Sequence, residues 1–228
     1  MRTLKLLAAL VVPALFAAPA HAAEAKYPEK PIRLIIGSAT GSGPDIISRQ
    51  LAERLYDTWK QRVVVDARPG AAGAISADLT LGSAADGYTW MMLTSQLFVA
   101  SQVLADIKFD LQRDFQSAAL IGVTPFVLLI NNQTPAKSLK ELIELAKKQP
   151  GKLTAGSGSA GSLVPIFMLQ QMAGIELTHV PYKSIPPALT DVIGGQINMV
   201  YADMVNGAPQ VKSGKLRGLG VTSRKRDP

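Results

Sequence analysis

Ile32-Arg33-Leu34-Ile35-Ile36-Gly37-Ser38-Ala39-Thr40-Gly41-Ser42-Gly43-Pro44-Asp45 reads as a strand that empties through glycines into a helix. Ile32 to Ile36 is a short, mostly apolar run rich in β-branched residues, the pattern of a buried strand. Beyond Pro44 the apolar residues Ile47, Leu51, Leu55 and Trp59 recur every fourth position, with Arg49, Glu53 and Arg54 between them, so a helix begins there. Such a turn is also an anion site, because unpaired N–H groups and the helix dipole point at whatever approaches the glycines. An ordinary βα turn remains the bland alternative. No Lys occurs between Lys30 and Lys60, which excludes a P-loop, and the Gly37, Gly41, Gly43 spacing misses the dinucleotide fingerprint. A site of main chain and small hydroxyls suits a carboxylate better than a triphosphate.

Upstream, residues 1–22 have the form of a secretory signal. Arg2 and Lys5 supply the charged start, Leu6 to Ala18 the apolar centre, and Ala20-His21-Ala22 the cleavage site. Removal of Arg2 and Lys5 with that segment lowers the formal net charge from +7 to +5. The absence of Cys excludes lipoprotein anchoring, disulfides and thiol chemistry. A soluble, exported, periplasmic protein is expected. Its dispersed positive balance favours anionic ligands over nucleic acid, and no basic–aromatic interleaving marks a single-strand platform.

Downstream the strand and helix patterns alternate. Val63 to Val65 is a strand, Arg68-Pro69-Gly70-Ala71-Ala72-Gly73 a turn into a helix over 74–83, and Tyr88 to Leu93 a strand ending at Thr94-Ser95-Gln96. Ser117 to Gly122 and Pro125 to Ile130 are two further strands. Ser138 with Glu141 forms a capping box before a helix that stops at Pro150-Gly151. Leu153 to Ala155 leads through a second glycine turn into a helix ending near Met172. Leu177 to Val180, Ile197 to Tyr201 and Leu216 to Thr222 are strands, with helices over 187–193 and 205–212 between them. Repeated βα units imply an α/β fold with mostly parallel sheets.

The second turn, Gly156-Ser157-Gly158-Ser159-Ala160-Gly161, satisfies G-x-G-x-x-G after a strand. Glu176, twenty residues on, precedes its strand, whereas a ribose-binding acid belongs at a strand's C-terminal end. The more telling feature is that each half of the chain carries one such turn, so two helix starts can face one anion across a cleft. Enzyme readings are thin. His179 is the one mature His and reads as packed or capping, no G-x-S-x-G elbow occurs, and no acidic pair stands out. Binding without cofactor or metal is favoured, with a secreted α/β hydrolase-like enzyme using the cleft hydroxyls as the alternative.

Several motifs fall in a telling order. They are Tyr27-Pro28, Lys30-Pro31-Ile32-Arg33-Leu34-Ile35, the glycine turn ending in Asp45, Arg68-Pro69-Gly70-Ala71-Ala72-Gly73, and Ala85-Asp86-Gly87-Tyr88-Thr89. His179-Val180-Pro181-Tyr182-Lys183, Pro187-Ala188-Leu189-Thr190-Asp191, Gly194-Gly195-Gln196 and Gly214-Lys215-Leu216-Arg217 complete the set. In these the chain resembles the Bug family of periplasmic solute-binding proteins of tripartite tricarboxylate transporters, from Tyr27 to the last residue. The resemblance implies a two-lobed type II periplasmic-binding-protein clamshell, with lobes over 23–123 and 124–222. It implies a monomer that binds a small carboxylate (dicarboxylate, tricarboxylate, amino acid or aromatic acid) and delivers it to a membrane permease. The implied contacts are Thr40, Gly41, Ser42, Gly43 and Asp45 in the first turn and Ser157, Gly158, Ser159 and Ala160 in the second. Ser95 and Gln96 in a third loop, Tyr182 and Asp203 complete them. Asp45 also reads as a helix cap and Tyr182 as packing. Arg68 reads better as half of a structural ion pair than as a carboxylate clamp.

The chain departs from the family at Gly37-Ser38, where Pro-Phe is usual, and at Pro44, where Thr is usual. Ser162-Leu163-Val164-Pro165-Ile166-Phe167 lacks the family's His and Glu. The family's distal Asp falls on Ala202, with Asp203 one place along, a shift that turns a side chain to the opposite face of a strand. Relatives continue beyond residues 223–228 into a segment returning to the first lobe. A C-terminally truncated chain of lowered stability and ligand affinity is therefore expected.

Overall fold

The computed structural model describes residues 26–103 and 107–225. The expected signal segment lies outside the described residues, as do residues 226–228. In chain order the elements are β1 (Ile32–Ile36), α1 (Gly43–Trp59), β2 (Val63–Ala67), a 3-10 turn (Ala71–Gly73), α2 (Ala74–Leu81), β3 (Thr89–Met92) and α3 (Ser95–Val103). There follow β4 (Phe126–Asn131), α4 (Leu139–Lys148), β5 (Thr154–Ser157), α5 (Ala160–Ala173), β6 (Thr178–Pro181), α6 (Ile185–Ile193), β7 (Met199–Asp203), α7 (Met204–Lys212) and β8 (Leu216–Val221).

Two sheets result. The first, in the order β2-β1-β3, is parallel throughout. Its middle strand is the run from Ile32, and Ile32, Ile35 and Ile36 are fully buried because neighbours cover both faces. Leu55 and Trp59, spaced one helical turn apart on α1, pack onto it. The second sheet runs β6-β5-β7-β4-β8, with β5 parallel to β6 and β7, and β4 antiparallel to β7 and β8. Alternation along β4 builds two cores from one strand. Leu128 and Ile130 meet Leu142, Ala146 and Ile166 on one face, while Val127 and Leu129 meet Ile185, Ala188 and Val192 on the other. No helix among the described residues is long and apolar enough to cross a membrane.

Two sequence expectations are corrected. Residues 117–122 form no strand: the backbone there has no ladder partner, and Leu120 is 83% exposed. The apolar content suggested a strand, but β-propensity acts only where a neighbouring strand supplies the other half of the ladder. Ser95 and Gln96, expected in a loop, open α3 instead.

Ser138 caps α4 by accepting from the Glu141 N–H, as expected, but Glu141 reaches back to the N–H of Lys137 rather than to that of the cap itself.

Candidate functional site

Every parallel strand in both sheets points its C-terminal end at one cavity of about 940 Å³. β1 contributes Gly37, Ser38, Ser42 and Gly43; β2 contributes Pro69, Gly70 and Ala72; β3 contributes Met92 to Gln96. From the other sheet come Gly158, Ser159 and Gly161 after β5, Lys183 and Ser184 after β6, and Asp203 at the end of β7. Crevices beyond the carboxyl ends of parallel strands are where open α/β sheets bind ligands, because the helices that follow start there with free N–H groups.

In the first turn, Asp45 works on the turn rather than on the cavity. Its carboxylate, almost fully buried, accepts from the Gly41 N–H at 2.9 Å and from Arg49 at 2.9 and 3.1 Å. Burial opposes its ionisation, but the Arg49 and Gly41 hydrogen bonds outweigh that and hold the carboxyl below its usual range. Thr40 and Gly41 stand off the cavity wall; Gly41 occupies φ +79°, a backbone shape that asks for glycine. Ser42, the residue before α1, caps nothing with its side chain. It lines the cavity at 7% exposure, and its buried Oγ has no hydrogen-bond partner.

The second turn is also held from within. Ser162 Oγ accepts the N–H groups of Gly158 and Ser159, both at 3.0 Å, while Ser159 Oγ accepts from the Ser162 N–H. The N–H groups of Ala160 and Gly161, at the first two positions of α5, have no acceptor within the helix. A Cβ on Gly158 would come within 2.1 Å of the Ser184 carbonyl carbon, so this glycine lets β5's turn close onto the start of α6. Ser157 lies beneath the turn, with its Oγ 2.7 Å from His179 Nε2.

Ser42, Gly43, Ser95, Gln96, Gly158, Ser159 and Asp203 thus share one cavity wall, whereas Thr40, Gly41, Asp45, Ser157, Ala160 and Tyr182 are not among its lining residues. Tyr182 donates to Asp191 at 2.6 Å, and burial together with that carboxylate pushes its hydroxyl up to about 12. Asp203 turns toward the cavity while Ala202 is fully buried in the sheet, as the alternation of a strand requires. Arg68 pairs with Asp66, which also holds Arg33. Sequence reasoning missed Lys183, Ser184 and Phe126. The signal for the first two was legible: Ser184 followed by Pro186 is a helix start, with Pro in the first turn of α6.

Two α/β lobes with a cavity at their facing strand ends define the type II periplasmic-binding-protein class. The family description "Tripartite tricarboxylate transporter family receptor" (TctC) matches residues 47–228. The chain belongs to that family. It is 34% identical over 220 residues to a UPF0065 protein of Bordetella bronchiseptica, the match covering 95% of this chain and 65% of that relative. The chain therefore spans about two thirds of that protein's length. Among solved structures, R. palustris Rpa4515 with adipate superimposes with a TM-score of 0.83 at 28% identity, covering 88% of this chain and 68% of the other. Periplasmic binding protein BugD superimposes with a TM-score of 0.78 at 29% identity over the same shares.

Proposed function

We propose that this chain is a periplasmic solute receptor that captures a small carboxylate between lobes formed by residues 23–123 and 124–222 and presents it to a membrane permease. The observation that carries this reading is that both glycine turns, one from each sheet, open onto the same cavity at helix starts. The Rpa4515 structure, solved with adipate, supports a carboxylate as the solute. Backbone N–H groups at the starts of α1 and α5, with the hydroxyls of Ser42 and Ser159 and the polar ends of Ser95 and Gln96, hold it. Thr40, Gly41, Asp45, Ser157 and Tyr182 keep the turns in shape. Closure of the lobes on the solute makes the loaded form distinct to the permease.

The Ser157–His179 contact is the feature that a hydrolase reading would use. It lies under the second turn, Ser157 is 6% exposed, and no carboxylate bonds to His179 among the described residues. Binding is the better account. Thermal-shift and titration screens against mono-, di- and tricarboxylates, amino acids, aromatic acids and nucleotides test it. Stabilisation by at least one carboxylate is expected. A cooperatively folded protein that answers to no carboxylate, or to a nucleotide alone, overturns the reading.

A further inference from the structure

Asp203 closes β7 and caps α7, accepting from the Asn206 N–H at 3.0 Å and from its side-chain amide at 3.1 Å on each oxygen. It is 6% exposed and lines the cavity, and no cation pairs with it among the described residues. Its carboxylate lies against Gly43, the first residue of α1, which comes from the other sheet. A Cβ placed on Gly43 would stand 2.7 Å from Asp203 Oδ1. A carboxylate of the chain itself thus lies beside the first residue of a seventeen-residue helix, at its positive end. Lys183 is the one other charged side chain lining the cavity among the described residues, and it is exposed and in no ion pair. Much of the remaining wall is apolar, with Ile47, Met92, Phe98, Phe126 and Ile185 prominent.

One fixed anion, one exposed cation and an apolar wall set a charge limit on the guest. A single carboxylate finds the Ala160 and Gly161 N–H groups, hydroxyls and Lys183. A second finds no second cation: beyond the neutral Ser95 and Gln96 it faces the apolar wall or Asp203, and neither offsets the loss of its hydration. Resting on the receptor reading above, we propose that Asp203 makes this a monocarboxylate site, selecting an acid with an apolar body and rejecting di- and tricarboxylates of the same skeleton.

The test is calorimetric titration of matched pairs, hexanoate against adipate and benzoate against terephthalate, on the wild type, D203N and D203S. Both replacements keep an N-cap acceptor for Asn206. The wild type should bind the monocarboxylate of at least one pair at least tenfold more tightly. The variants should narrow that ratio at least tenfold through gained dicarboxylate affinity. A wild-type ratio at or below one overturns the proposal without any variant. An unchanged ratio in a folded variant overturns it too, while leaving the receptor reading intact. A wild type that binds neither member of either pair overturns it, and silence across the full carboxylate panel removes the receptor reading as well.

Discussion

Replacing Gly158 by Ala inserts one methyl where three backbone atoms already stand. The new Cβ would lie 2.1 Å from the Ser184 carbonyl carbon, 2.3 Å from its oxygen and 2.5 Å from the Ile185 nitrogen. Relief requires the second turn and the start of α6 to part by roughly an ångström, since ordinary contact begins near 3.4 Å. Overpacking a well-fitted site costs about 1–3 kcal/mol, and the upper end applies because backbone, not the tip of a side chain, must give. At about 3 kcal/mol the melting temperature of a chain this size falls by roughly 6–12 °C. Ligand affinity falls too, because Ser159 and Gly161 move with the turn. Gly41→Ala is the control: no atom lies within 4 Å of its Cβ, so only its φ of +79° is penalised, at about 1–2 kcal/mol. Urea unfolding and ligand titration of both variants decide the matter. Equal losses in the two, or a Gly158→Ala protein within about 1 kcal/mol of the parent, would refute the steric argument.

Ser162→Ala removes the acceptor for two N–H groups at once and should cost about 1–3 kcal/mol, with faster amide exchange at Gly158 and Ser159 in hydrogen–deuterium measurements. Tyr182→Phe loses the bond to Asp191, about 1 kcal/mol by denaturation, while titration shows unchanged ligand affinity because Tyr182 does not line the cavity. The Arg33 hydrogen bond, with help from Arg68, lowers the Asp66 carboxyl, and Arg49 and Gly41 lower that of Asp45 against the opposing effect of burial. Folded values below the unfolded one, about 3.9, stabilise the fold fully at higher pH and lose that contribution as pH falls through the folded values. Stability measured by urea at pH 3 should therefore lie below that at pH 7, and Asp45→Asn should shrink the difference.

Much of the α/β alternation was legible because several strands are short apolar runs closed by glycine or proline, as at Gly37, Pro69 and Gly158, and helices such as α1 and α4 repeat an apolar face. The first strand and the helix from Gly43 to Trp59 were read nearly residue for residue. Residues 117–122 misled because a strand is defined by its partner, and partners are not written in local sequence. The meeting of the two glycine turns was inferred from their kinship and follows physically from sheets whose parallel strands end at the same cavity. What sequence could not give was the inward economy of the turns. That Asp45 serves the Gly41 N–H, or that Ser162 serves those of Gly158 and Ser159, depends on side-chain directions that spacing leaves open. Asp203 against Gly43 is harder still, since those residues meet only when the two sheets are placed together.

Those internal bonds bear on what the cavity can hold. A glycine turn kept open for a guest exposes N–H groups that stay costly until something accepts from them, and here the chain supplies most of the acceptors itself. Asp45 takes one donor of the first turn, Ser162 takes two of the second, and Pro44 removes another by having none. The donors left at the two helix starts are those of Gly43 and Asp45 in α1 and of Ala160 and Gly161 in α5, and Asp203 lies beside Gly43. Two adjacent N–H groups match the two oxygens of one carboxylate; a triphosphate needs a cradle several times larger. On the receptor reading, the side chains that brace the turns therefore also set how much anionic charge the site accepts.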